Sequence, residues 1–322
     1  MTRRLLFVAA ALMAGCQPPA GTPPVGSSSN ATGSAGRPAS LVEARKGFQT
    51  HLRPQKGVRD PVDEPPPKVF QKVRYDSAVG PLAAYLTPDP KDGKKHPAIV
   101  WITGGDCNSI GDVWRPAPAN NDQTAAAYRQ AGLVMMFPSL RGGNDNPGIK
   151  EGFLGEVDDV LAAADFLAKQ PYVDPARIYQ GGHSTGGTLV LLVAECSDRF
   201  RVVFSFGPAE DVAGYGPRSG FLPFDLSNPQ EVRLRSPGHW LDSIQSPVFV
   251  IEGTQKGNLD SLQAMERTNK NPKVKFLPVR AATHFSLLAP ANRVIAQKIL
   301  ADDGPETNLT LIEDELSKLF RK

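Results

Sequence analysis

Gly182-His183-Ser184-Thr185-Gly186 sets one serine between glycines placed two residues away on each side. A short β-like run, "RIYQ", precedes it, and the apolar stretch "GTLVLLVAE" follows. G-x-S-x-G between a strand and a helix is the pattern of a nucleophile elbow, in which the turn is so sharp that only glycine fits on either side. The serine then stands at a helix N-terminus, where backbone dipoles favour developing negative charge. The chemistry implied is acyl transfer, with Ser184 attacking a carbonyl carbon. A passive serine in a Gly-rich turn is the alternative.

A serine hydroxyl needs a base. Of the five histidines, His51 and His96 precede the central strands, and His183 should diverge from Ser184 at so tight a bend. His239 lies in the connection "SPGHWLDSI", whereas His284 follows the last strand in "VRAATHFSLL" and should reach the same sheet edge as the serine. The base is therefore expected to be His284. An oxyanion requires N–H donors. The amide of Thr185, next to the nucleophile, is one, and the loop after "AIVWI" should give the other, from Gly105 or Asp106.

The acid that orients His284 is harder to place. Glu210 and Asp211 follow "RVVFSFG", while Glu252 and Asp260 flank the loop "GTQKGN". Asp260 is the favoured choice, because the glycines would let that loop fold back. Glu252, the other pair and a Ser–His dyad remain open.

These residues need a scaffold. "PAIVWI", "LVMMF", "RIYQ", "RVVFSF", "PVFVI" and "VKFLPV" are short apolar strands alternating with helical patterns, such as the one marked by Val157, Val160, Leu161, Ala164 and Leu167. Continuous apolar strands alternating with helices predict a mostly parallel sheet covered on both faces. "KVFQKVRY" and "PLAAYL" are joined closely enough to form an antiparallel hairpin. Helices are expected over "DQTAAAYRQAG", "ANRVIAQKILAD" and a final stretch with Leu309, Ile312, Leu316, Leu319 and Phe320 as its apolar stripe. Residues 207–246 are longer than an ordinary connection and read as a small lid.

The stretches "HPAIVWITGG", "PSLRGGNDNPG", "EVDDVLAAADFLAKQPYVDPARIYQGGHSTGG", "SPGHWLDSIQSPVFVIEGT" and "THF" occur in this order. From about Val69 to Asp302 the chain resembles the α/β-hydrolase fold, and it is most similar to the catalytic domain of prolyl-oligopeptidase-type peptidases and dienelactone-hydrolase-like relatives. The resemblance implies a peptide or amide substrate, with a carboxylic ester as the alternative. It departs from the family in two ways. Too few residues precede Val69 for the usual β-propeller, and Lys256 stands about where the family's aspartate belongs. A missing acid would also suit a catalytically silent protein used for binding.

The N-terminus speaks to location. Arg3 and Arg4 precede "LLFVAAALMAG", an apolar run far shorter than the about 20 residues that span a bilayer, which reads as a signal peptide. Cys16 follows directly, and "LMAGC" resembles a bacterial lipobox, so residues 1–16 are expected to be a lipoprotein signal with Cys16 as the lipidation site. Residues 17–40, rich in Pro, Gly and Ser, lack the apolar bulk to fold and read as a disordered tether to a hydrolase domain over 41–322. The expectation is an exported protein held at the cell-envelope membrane by its lipid alone. Cys107 and Cys196 could pair in that setting or remain free thiols.

The formal charge of the 322-residue chain is only +3, and it has no basic run with interleaved aromatics to suit nucleic acid. Neither zinc nor nucleotide motifs are present, so no cofactor or metal is expected. The expected partner is a small-molecule or short-peptide substrate.

Overall fold

The computed structural model describes residues 40–55, 60–216 and 222–321. The expected signal peptide, Cys16 and tether lie outside the described residues, as do residues 217–221 of the expected lid.

Eight strands form one sheet: β1 (Gln71–Ser77), β2 (Gly80–Leu86), β3 (His96–Ile102), β4 (Val134–Pro138), β5 (Val173–His183), β6 (Val203–Phe206), β7 (Val248–Gln255) and β8 (Val274–Thr283). Their spatial order is β1-β2-β4-β3-β5-β6-β7-β8. The hairpin anticipated from "KVFQKVRY" and "PLAAYL" is present, with Ser77 paired to Gly80. β2 is antiparallel to both its neighbours, and every other pairing is parallel.

Alternation along each strand builds two cores. In β3, Ala98, Val100 and Ile102 face a layer containing α3 (Glu156–Ala168), α4 (Thr185–Cys196) and α6 (Leu259–Thr268). Ile99 and Trp101 face the other layer, built from α2 (Ala126–Gln130), α7 (Leu288–Ala301) and α8 (Glu313–Lys318). Parallel strands buried on both faces explain the unbroken apolar runs.

Two expected helices are shorter than their patterns. The one in "DQTAAAYRQAG" starts only at Ala126, because Ala125 is left-handed (φ 44°) and Asp122 accepts from the Thr124 amide in a local turn. In the final stretch Leu309 and Leu311 are buried in non-helical chain, and helix begins only at Glu313.

Residues 40–55 form a strap. Ser40 Oγ caps α1 (Leu41–Arg45) by accepting from the Glu43 amide. Arg45 then donates to the carbonyls of Phe153 (2.9 Å), Leu154 (3.3 Å) and Leu234 (2.8 Å). Farther along, the His51 amide and Thr50 hydroxyl donate to Glu231 (2.7 and 3.0 Å), and the Arg53 amide donates to Pro223 O (2.6 Å). Glu231 is itself buried and paired with Arg235, whose guanidinium lies over the Phe224 ring.

The described part of 207–246 is bound to the core. Phe224, Leu234, Trp240, Leu241 and Ile244 bury in the same cluster as α4. Between them, α5 (Pro229–Arg233) is capped by Asn228, which accepts from the amides of Gln230 and Glu231.

Candidate active site

β5 ends at His183 and α4 begins at Thr185, so Ser184 alone makes the turn. Its backbone is in a rarely populated region, φ 56° and ψ −115°, held by its amide donating to Phe206 O (2.7 Å) and its carbonyl accepting from the Thr188 amide (2.9 Å). Such a conformation costs of order 1–3 kcal/mol and persists only where its surroundings impose it. The flanking glycines explain how the surroundings do so. A Cβ on Gly182 would lie 2.5 Å from Gly186 O, and one on Gly186 would lie 2.3 Å from Ile102 O. The helix start is pressed onto β5 and β3 more closely than any side chain allows.

His284 follows β8 in a turn closed by Thr283 and Ser286, each hydroxyl accepting from the other's amide (3.0 and 2.9 Å). The His284 amide donates to Lys256 O (3.1 Å), which fixes this turn to the one after β7. Gly207 joins the histidine to the serine's side of the site. It follows Phe206, which holds the Ser184 amide, and a Cβ on it would come within 2.4 Å of His284 Cε1.

The histidine's partner is Glu252, not Asp260. His284 Nδ1 donates to Glu252 Oε2 at 2.7 Å, and the carboxylate is fully buried. It also accepts from the amides of Gly253 (2.6 Å) and Asn258 (3.0 Å), so three donors converge on it. The expected Asp260 is instead exposed in the first turn of α6, where a negative charge suits the helix dipole. Asp211 caps the short 3₁₀ turn Val212–Tyr215, and the Glu210 carbonyl accepts from the Gly238 amide.

Two features that composition does not announce set a strand carboxylate, not the anticipated loop aspartate, against the histidine. The β7–β8 register slips between Gly253 and Gln255, and Lys256 and Gly257 both take positive φ. The loop thus turns back over Glu252, giving it the Asn258 amide. The legible signal was a carboxylate at the end of an otherwise apolar strand.

Around the serine, Thr185 Oγ1 donates to Gly105 O (2.9 Å). The loop bearing Gly105 and Asp106 is therefore bonded to the first residue of α4. Asp106 accepts from Lys150 Nζ (2.6 Å) and from Ser109 Oγ (2.8 Å). As the first helical residue, Thr185 has an amide with no intrahelical acceptor.

Three of the other histidines sit elsewhere. His96 contacts Asp92 at the start of β3, the His51 amide is held by Glu231, and His239 is exposed in the 3₁₀ turn Pro237–His239. Both cysteines of the body are free thiols. Burial raises both: Cys196 to about 11 and Cys107 further. Among the described residues no three His, Cys, Asp or Glu side chains form a group that could hold a metal ion.

The sequence pattern of the prolyl oligopeptidase family matches residues 120–271, the segment that carries both Ser184 and Glu252. That segment is similar to the prolyl oligopeptidase family, and the fold is that of an α/β-hydrolase. It is 26% identical over 202 residues to dipeptidyl-peptidase 5 of Porphyromonas gingivalis, a match covering 56% of this chain and 28% of that protein. It is 27% identical over 187 residues to the uncharacterized peptidase YtmA of Bacillus subtilis, covering 54% of this chain and 68% of the relative. Among solved structures, the acylaminoacyl peptidase of Pyrococcus horikoshii superposes with a TM-score of 0.58 at 17% identity, over 77% of this chain and 44% of the other. At that identity the superposition speaks for the fold. The chain thus spans only a fraction of the length of most such relatives.

Proposed function

We propose that this protein is a serine hydrolase that cleaves an acyl bond through Ser184, His284 and Glu252, with a peptide or amide as its substrate. The observation that carries the reading is the buried Glu252–His284 pair, packed on Gly207 next to the strand end that holds Ser184 in strained backbone. Glu252 holds the Nδ1 proton of His284, which leaves Nε2 as a lone pair to receive the proton of Ser184 Oγ. The serine oxygen then bonds to the carbonyl carbon, and the imidazolium formed is stabilised by the carboxylate behind it. His284 returns the proton to the leaving group as the acyl-enzyme forms, and water repeats the sequence to release the acid.

The negative charge on the tetrahedral carbon's oxygen falls to backbone amides. Thr185 N is one. In a trans peptide the C=O and N–H point oppositely. The bond from Thr185 Oγ1 to Gly105 O therefore turns the Asp106 amide away from Thr185, which favours Gly105 N as the second donor. The relatives named as peptidases support an amide substrate. Export and anchoring at the cell envelope through Cys16 complete the proposal, and they rest on "LMAGC" and the preceding apolar run.

The test is labelling by a fluorophosphonate, followed by turnover of paired p-nitrophenyl acyl esters and aminoacyl p-nitroanilides. Labelling lost in Ser184→Ala, together with anilide cleavage, is the expected result. Ester turnover without anilide cleavage would replace peptide by ester, and a blank from folded protein would leave only the binding reading.

A further inference from the structure

His183 is almost completely buried, and its ring centroid lies 4.4 Å from that of His284. Its Nε2 lies 3.0 Å from the main-chain carbonyl oxygen of His284. A carbonyl can only accept, so Nε2 carries the proton and Nδ1 presents a lone pair. Gln123 Nε2, 2.9 Å from Nδ1, supplies the donor, and its second hydrogen goes to Asn121 Oδ1 (2.9 Å). That orientation leaves Gln123 Oε1 to accept from the Gly104 amide (3.3 Å).

Gln123 Oε1 also lies 3.2 Å from His183 Nδ1, the nearer Gln123 Nε2 being the donor, and the series runs from the glycine turn beside the serine to the backbone of the base. Burial, reinforced by the neighbouring His284, holds His183 well below the usual imidazole range, which keeps this single tautomer neutral. Gly104 has no room for a side chain here: a Cβ would lie 2.9 Å from His183 Nδ1 and 3.3 Å from Ser184 Cβ.

We propose that Gln123 and His183 are positioning residues, forming a relay that ties the Gly104–Gly105 turn to the His284 carbonyl and so fixes the spacing of the oxyanion donors and the base about Ser184. The proposal rests on the hydrolase reading above. Neither residue touches the reacting atoms. Both act by holding the two loops that do, and small misplacement of such groups is costly.

The experiment compares wild type, Gln123→Leu, His183→Phe and the double variant, by fluorophosphonate labelling rate and by kcat and KM on a p-nitrophenyl ester. Each single change should lower kcat and labelling by about ten- to a hundredfold, with KM within about twofold. Because the two residues serve one relay, the double variant should be no slower than the slower single. Single variants at the wild-type rate, or a double loss equal to the product of the two, would overturn the relay. Wild type that resists labelling is a separate result, which removes the hydrolase reading and the relay with it. If His183→Phe fails to fold, the kcat of Gln123→Leu, changed on a partly exposed loop, decides the matter.

Discussion

Replacing Glu252 by glutamine changes one oxygen for an NH2 group and leaves the volume alone. In the native site Oε1 accepts from the Gly253 amide, while Oε2 accepts from the Asn258 amide and from His284 Nδ1. A glutamine has one acceptor atom to offer these three donors. With its NH2 in the place of Oε2, it can bond the ring only if Nδ1 becomes the acceptor. The imidazole proton then moves to Nε2, where it blocks the transfer from Ser184. Loss of the correct tautomer costs about ten-thousandfold in kcat in triads of this kind. With its NH2 in the place of Oε1, it faces the Gly253 amide instead. That placement keeps the tautomer but leaves a buried donor unmet, at about 1–3 kcal/mol, and removes the charge that stabilises the imidazolium. Either way kcat should fall by about three to four orders of magnitude, with KM little changed and Tm lowered by a few degrees. Asp260→Asn, by contrast, should leave kcat as it is. The assay is p-nitrophenyl ester and p-nitroanilide turnover on both variants beside a thermal melt. A Glu252→Gln enzyme retaining kcat within about threefold of wild type would refute the argument, as would a larger loss in Asp260→Asn.

Other perturbations follow from the same geometry. Gly207→Ala adds a methyl 2.4 Å from His284 Cε1 and 2.7 Å from Glu252 Oε2 at a residue with φ 57°, so activity should drop at least about tenfold, measured as kcat against Tm. Ser184→Ala should abolish turnover with the melting curve nearly unchanged, since the side chain is only half-buried and the amide and carbonyl do the holding. Burial alone would raise the Asp302 pKa, but bonds from Arg201, Tyr179, Thr307 and the Asn308 amide overturn this and hold the carboxyl well below the usual range. Its stabilising contribution is therefore present above the unfolded carboxylate pKa of about 4 and is lost as pH falls toward the depressed folded value. Asp302→Asn should lower Tm at neutral pH and show a smaller difference from wild type in acid, as followed by melts across the range. Cys16→Ser should move the protein from the membrane to the soluble fraction with unchanged specific activity, as fractionation would report.

The sheet and its serine were legible because they rest on local rules. Apolar runs such as "PAIVWI" can only be buried strands, and glycines at 182 and 186 admit a turn that other residues cannot make. His284 was found by counting which histidine follows the last strand. Its carboxylate partner was not, because the pairing depends on three-dimensional detail: a two-residue slip between β7 and β8, and a left-handed turn at Lys256 that a lysine rarely adopts. Family spacing pointed to the loop, yet the longer glutamate on the strand occupies the place. The partnership of His183 with Gln123, separated by 60 residues, left no periodic trace at all.

The strap at residues 40–55 also decides where a shortened form of the chain can start. A form beginning at Ser40 keeps Arg45 on the carbonyls of Phe153, Leu154 and Leu234, and keeps Thr50 and His51 on Glu231. One beginning at Val69, where the family resemblance starts, would retain Ser184, His284 and Glu252 yet uncover the Arg235–Glu231 pair and the carbonyls that Arg45 had satisfied. The working boundary of the domain therefore lies well ahead of its recognisable motif, and trimming to the motif would be amputation.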